Sequence, residues 1–161
     1  MRYWQAIIPT AAAVGLAAPA LAAGEIYVPV AYTDTVLVVI EMKGNAPPQV
    51  RRTVRATQVA YYATPSFDFD GVPVRYTETE FEIDCRNGQG RKLHSAAYRD
   101  GGDLLGEETH SEPWASMPAG THLGDMRRMS CDGLADHDRV YTNLAAAVSA
   151  HGRLVRSASA E

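Results

Sequence analysis

Cysteine is scarce in this chain: Cys85 and Cys131 are the only two among 161 residues. That number excludes a four-cysteine zinc site, and their separation excludes a Cys-x-x-Cys redox pair. Lysine is as rare, with Lys43 and Lys92 alone, so nearly all the positive charge is arginine. The net charge is −4 at neutral pH, and an acidic chain is a poor partner for nucleic-acid phosphates. There is no Gly-x-Ser-x-Gly elbow and no phosphate-cradling glycine loop. His94, His110, His122, His137 and His151 lack the paired helical spacing of a zinc hydrolase. Asp136, His137 and Asp138 crowd together near Asp132, but neighbours at a helix start point in different directions, and helix N-termini favour acids without any metal. Asp68 and Asp70 imitate a calcium loop that lacks its third acidic position and its distal glutamate. The expectation is a non-enzymatic chain with no catalytic residue, no metal and no cofactor.

Long apolar runs are also missing, since nothing beyond the N-terminal region is apolar enough to cross a membrane. That region reads MRYWQAIIPTAAAVGLAAPALAAGE. One basic residue, Arg2, then an Ala-rich centre and Ala20-Leu21-Ala22 are the parts of a secretory signal peptide. Pro9, Gly15 and Pro19 interrupt the stretch and argue against a retained membrane anchor. Residues 1–22 are therefore assigned as signal, with cleavage between Ala22 and Ala23, where no cysteine offers itself for lipidation. Removing the first 22 of 161 residues leaves 139 and a net charge of −5, because Arg2 is the only charged residue lost. That length suits one domain with one modest core. The mature chain is expected to be exported, to the periplasm or the outer cell surface.

Export decides the chemistry of the cysteines. In an oxidising compartment two thiols have one possible intramolecular connectivity, so Cys85 and Cys131 are expected to form a structural disulfide. Around the first of them, FEIDCRNGQGRKL alternates so that Phe81, Ile83 and Cys85 face one way and Glu80, Glu82 and Asp84 the other. This is the pattern of a strand with one wet face. Asn87-Gly88 suggests a hairpin, with RKLHSAAYRD returning. Upstream, IYVPVAYT and TVLVVIEM read as strands, the first an edge strand because of Pro29. VRRTVRATQVAYYA is a third strand, and TPSFDFDG a turn-rich connector. Downstream, GGDLLG is read as a break and ETHSEPWASM as a short strand with Trp114 as its packing anchor.

The period then changes. From Thr121, a plausible N-cap, Leu123, Met126 and Met129 fall on one helical face and Gly133 is the stop. Cys131 sits at the edge of that stripe and is expected at a frayed end. In DHDRVYTNLAAAVSAHGRLV, Val140, Leu144, Ala147 and Val148 share a second helical face, Gly152 is the expected stop, and RSASAE a tail. The fold class is therefore α+β: an antiparallel β-sheet with a C-terminal helix tethered by a disulfide, plus a short extra helix and tail.

Several stretches together resemble the bacterial surface-adhesin protein E-like domain family. They are FEIDCRNGQGRKLHSAAYRDGG, EPWASMPAGT, the closing MRRMSC and the early AYTDT. The resemblance implies an antiparallel sheet with a helix tied to it, and of the family's residues it reaches Cys85 and Cys131. After the signal (1–22), the resemblance divides the chain into an adhesin-like domain (23–131) and a C-terminal helical extension and tail (132–161). It also implies an interaction domain that binds a protein or extracellular-matrix partner. A soluble periplasmic accessory protein, binding a small ligand or inhibiting an envelope enzyme, is the other class these features fit. The candidate contact is Arg51 with Arg55, which share a strand face by parity, while Arg52 points the opposite way. Arginine suits an interface because its planar fork pairs with carboxylates or sulfates while its stem covers apolar surface.

Overall fold

The computed structural model describes residues 25–43, 53–65, 67–133 and 139–158. The signal segment with its Ala22–Ala23 junction, Arg51, Arg52, Asp136, His137 and Asp138 lie outside them. The elements in chain order are β1 (Glu25–Tyr32), β2 (Val36–Lys43), β3 (Thr53–Tyr62), β4 (Asp68–Phe69), β5 (Val72–Pro73), β6 (Tyr76–Asp84), β7 (Gln89–Tyr98), β8 (Leu104–Thr109), β9 (Ala115–Ser116), α1 (His122–Asp132) and α2 (Leu144–Ala158). The main sheet runs β1-β2-β3-β6-β7-β8, with β9 also pairing β7, and every pairing is antiparallel. Pro29 has no N–H to give a ladder, and it sits in the edge strand β1, where the register shifts between Pro29 and Ala31.

Alternation gives the sheet two distinct faces, each roofed by one helix. On the α1 face, Val28, Ile40, Ala56, Phe81 and Ile83 pack against Met117, Met126 and Met129. On the α2 face, Leu37, Val39 and Val59 pack with Ala147, flanked by Tyr27, Tyr61, Tyr76, Leu144 and Val148. Burying each such side chain contributes about 1.5–3 kcal/mol, so both helices are held mainly by apolar contact.

The bond expected between the cysteines joins Cys85, just past β6, to Cys131 in the last turn of α1. Cys131 is therefore helical rather than frayed. The β6–β7 connection is the four residues Cys85 to Gly88, and Gly88 takes φ 65°, which a side chain would resist. Asp84 is 8% exposed because its carboxylate serves this turn, accepting from Arg86 N at 3.0 Å and from Asn87 N at 3.1 Å and Nδ2 at 2.8 Å. Thr121 caps α1 as expected, its Oγ1 accepting from Gly124 N at 3.1 Å, and Gly133 ends the helix.

Five local expectations are corrected. GGDLLG turns the chain but does not exclude a strand, because β8 starts at Leu104 directly after Gly101 and Gly102. The connector TPSFDFDG contains β4 and the turn of a small hairpin that β5 completes, with Asp70 and Gly71 at φ 49° and 78°. Trp114 is 37% exposed and covers Arg91 at 4.7 Å instead of filling the core. Val140 precedes α2 and is exposed, while the helix continues through Gly152 to Ala158, because a single glycine costs a helix only about 1 kcal/mol. In place of Val140, Tyr141 extends the sheet edge, exchanging backbone hydrogen bonds with Tyr27 at 2.8 and 3.0 Å.

Candidate functional site

The α2 helix covers the end of its face that lies over β1 and β2. Beyond Val59 and Tyr76, which line the α2 contact, the same face is built from polar residues: Arg55 and Thr57 on β3, Glu80 and Glu82 on β6, and Arg91 and His94 on β7. Alternation in TETEFEID sets Glu78, Glu80 and Glu82 outward from β6. Register then places Arg55 of β3 opposite Glu82, and Arg91 of β7 on its other side.

Ion pairs cross the strands. Arg55 Nη1 meets Glu80 Oε1 at 3.1 Å, with the arginine side chain 67% exposed. Arg91 donates from Nε and Nη2 to Glu82 Oε2 at 2.8 and 2.6 Å. His94 Nε2 lies 3.3 Å from Glu107 Oε2 on β8. Trp114 closes the β9 end by lying against the Arg91 guanidinium. Tyr98 bounds the other end: it stacks on Tyr76 with ring centroids 4.6 Å apart and donates to Glu78 Oε2 at 3.1 Å. Burial, then the charge of Glu78, pushes the Tyr98 phenol up to about 12, and the same causes raise Tyr76.

Arg55 is thus on the open face, as parity implies, but it is paired rather than free. Arg51 lies outside the described residues. The other members of this surface, Glu80, Glu82, Arg91, His94 and Trp114, were not singled out from the sequence as contacts. The wet face of β6 was readable, but which cation sits beside which glutamate is set by register between strands 9 to 25 residues apart. No group of three histidine, cysteine, aspartate or glutamate side chains is placed to hold a metal among the described residues. No helix among them is long and apolar enough to cross a membrane.

An antiparallel sheet and a helix bonded back to the end of β6 are the features that the motifs implied. The family model of surface-adhesin protein E matches residues 30–132, more than half of the chain. The chain belongs to that family. No curated protein and no solved structure matches it. The match runs from within β1 to the last residue of α1, so it includes both cysteines and the whole ionic face. The helix α2 and Tyr141 lie beyond it.

Proposed function

We propose that this chain is an exported, non-enzymatic interaction domain that binds a protein or matrix partner through the open ionic face of its sheet. Family membership supports the class of activity. The observation that carries the choice of surface is Arg55: 67% exposed, inside the matched domain, on the part of the face that α2 leaves uncovered. Exposed ion pairs such as Arg55–Glu80 contribute only about 0–1 kcal/mol, so they open at little cost and re-pair with a partner's charges. Arg51, of the same parity, is proposed as the companion contact. The face carries both signs, which suits a protein surface of mixed charge more than a uniformly charged polymer.

A pull-down from extracellular matrix with the oxidised mature chain supplies the partner. Arg51→Ala with Arg55→Ala should then weaken its binding and flatten the salt dependence while leaving the thermal midpoint unchanged. Equal affinity and an equal salt response in the double variant would eliminate this patch. Export with cleavage between Ala22 and Ala23 is part of the same proposal. Intact mass of the exported chain checks it, and a mass that includes Met1 to Ala22 refutes it. Protease access on intact cells separates outer surface from periplasm.

A further inference from the structure

The Asn87-Gly88 pair that turns β6 into β7 also carries a chemical liability. Asparagine is a labile side chain, and with no side chain on Gly88 nothing screens its backbone nitrogen from the Asn87 carboxamide carbon, one five-membered ring away. The other asparagines, Asn45 and Asn143, are followed by Ala46 and Leu144, whose β-carbons hinder that ring closure. In the fold both reacting groups of the turn are held by one residue. Gly88 N donates to the Asp84 carbonyl at 2.9 Å, and Asn87 Nδ2 donates to Asp84 Oδ2 at 2.8 Å. Asp84 is buried, whereas Asn87 is exposed and open to water. Gly88 is held from a second side, because its carbonyl accepts from Met117 N at 3.0 Å. The Arg127 side chain of α1 lies over it, with Nη1 3.6 Å from where a β-carbon would stand. Cys85, in the same connection, is bonded to Cys131 of that helix. The seating of α1 and the closure of this turn are therefore coupled.

We propose that Asn87 is a deamidation site that the docked α1 helix keeps shut. In the opened turn, Gly88 N loses its proton to water and attacks Asn87 Cγ. The N–Cγ bond forms, the Cγ–Nδ2 bond breaks, and Nδ2 leaves as ammonia. Water then opens the succinimide at either carbonyl, leaving aspartate or isoaspartate at position 87. In the closed turn the same step has to break the Gly88 N–H bond to the Asp84 carbonyl and pull the carboxamide off the Asp84 carboxylate, while Met117 and α1 pin Gly88 in place. The rate therefore follows the population of the opened turn. Closure afterwards is impaired. Aspartate at 87 sets a carboxylate where Nδ2 lay 2.8 Å from Asp84 Oδ2, and two carboxylates so placed repel. Isoaspartate adds a backbone carbon inside the short connection Cys85 to Gly88. The turn is a one-way record of α1 having come away from the sheet.

The test is peptide mapping by mass after timed incubation at neutral pH, comparing the oxidised mature chain, the chain with Cys85→Ser and Cys131→Ser, and the reduced chain in urea. Conversion of amide to acid changes the mass, whereas isomerisation at Asp70-Gly71, Asp100-Gly101 and Asp132-Gly133 does not, so Asn87 is read without interference. In urea Asn87 should convert well ahead of Asn45 and Asn143. The oxidised chain should convert slowest, and the cysteine variant at least about tenfold faster than it, because losing the bond raises the open population by that factor or more. A cysteine variant that does not fold would only repeat the rate in urea. Asp84→Ala in the oxidised chain, its fold checked by circular dichroism, frees the carboxamide with the bond intact and should also convert faster. Asn87→Asp, the product, should bring forward hydrogen exchange in α1. The proposal fails if the oxidised chain converts as fast as the chain in urea, or if Asn45 or Asn143 outruns Asn87 there. It fails equally if either the cysteine variant or Asp84→Ala converts no faster than the oxidised chain. Unchanged α1 exchange in Asn87→Asp would overturn the one-way record.

Discussion

Gly124, in the first turn of α1, shows how a local preference loses to packing. Replacing a helical glycine by alanine stabilises an exposed helix by about 1 kcal/mol. Here a β-carbon would overlap the Pro118 carbonyl oxygen and carbon and touch Ala119 Cα, all backbone that cannot swing aside. Overpacking of this kind costs about 1–3 kcal/mol, so Gly124→Ala should lower stability, read as an earlier urea midpoint with unchanged slope. A later midpoint would mean that the Pro118 turn adapts. At Tyr98 the decisive property is proton affinity. Its phenol is raised from 10.0 to about 12, first by burial and then by Glu78. The folded state therefore holds this proton more tightly than the unfolded state does. That contribution is complete below pH about 10 and is lost as pH rises through about 12. Tyr98→Phe keeps the stack on Tyr76 and should flatten the alkaline limb of the stability curve. Phenolate absorbance placing the Tyr98 midpoint at the ordinary tyrosine value would contradict the assignment.

Among the elements, α1 depends on two kinds of attachment. Met126 and Met129 are fully buried against the sheet, and the Cys85–Cys131 bond closes a separation of 46 residues. In the chain-entropy picture such a loop contributes roughly 4 kcal/mol. Cys85→Ser with Cys131→Ser should therefore lower stability by about 2–5 kcal/mol, with α1 amides losing exchange protection before those of β2 and β3. Simultaneous loss in helix and strands would show that the bond supports the whole domain and not this helix. Much of this element was legible: Thr121, the Leu123–Met126–Met129 stripe and Gly133 lie close in sequence, where a period of 3.6 is visible. The period-2 strands β2, β3, β6 and β7 were legible for the same reason. What escaped has physical causes. Leu104 and Leu105 do not alternate and follow two glycines, so β8 looked like a break. Gly152 looked like a stop because a pattern cannot weigh one glycine against the six residues that continue the helix after it. Thr79, Ser95 and His110 come from three separate stretches, and only the strand register brings them within hydrogen-bond reach.

At the scale of the whole molecule, the residues beyond the family match complete the core rather than trail from it. Leu144, Ala147 and Val148 cover Leu37, Val39 and Val59, while Tyr141 occupies part of the β1 edge. His151, 4% exposed, adds a polar tether through Nε2 to the Thr33 carbonyl at 2.6 Å and lies edge-on to Tyr32. At about 1.5–3 kcal/mol for each large apolar side chain buried, this contact is a sizeable share of the 5–15 kcal/mol that holds a small domain together. A chain ending at Gly133 should keep its strands and its disulfide but melt at a lower temperature. It should also self-associate, because three large aliphatic side chains and a strand edge become exposed together. Sedimentation at increasing concentration measures this directly. Arg55 itself lies four residues along β3 from Val59, outside the α2 contacts, so the shortened chain should still bind the partner of that face. A shortened chain that stays monomeric and melts where the full chain does would mean that α2 only rests on the sheet. Self-association with lost partner binding would instead place the ionic face under the control of α2.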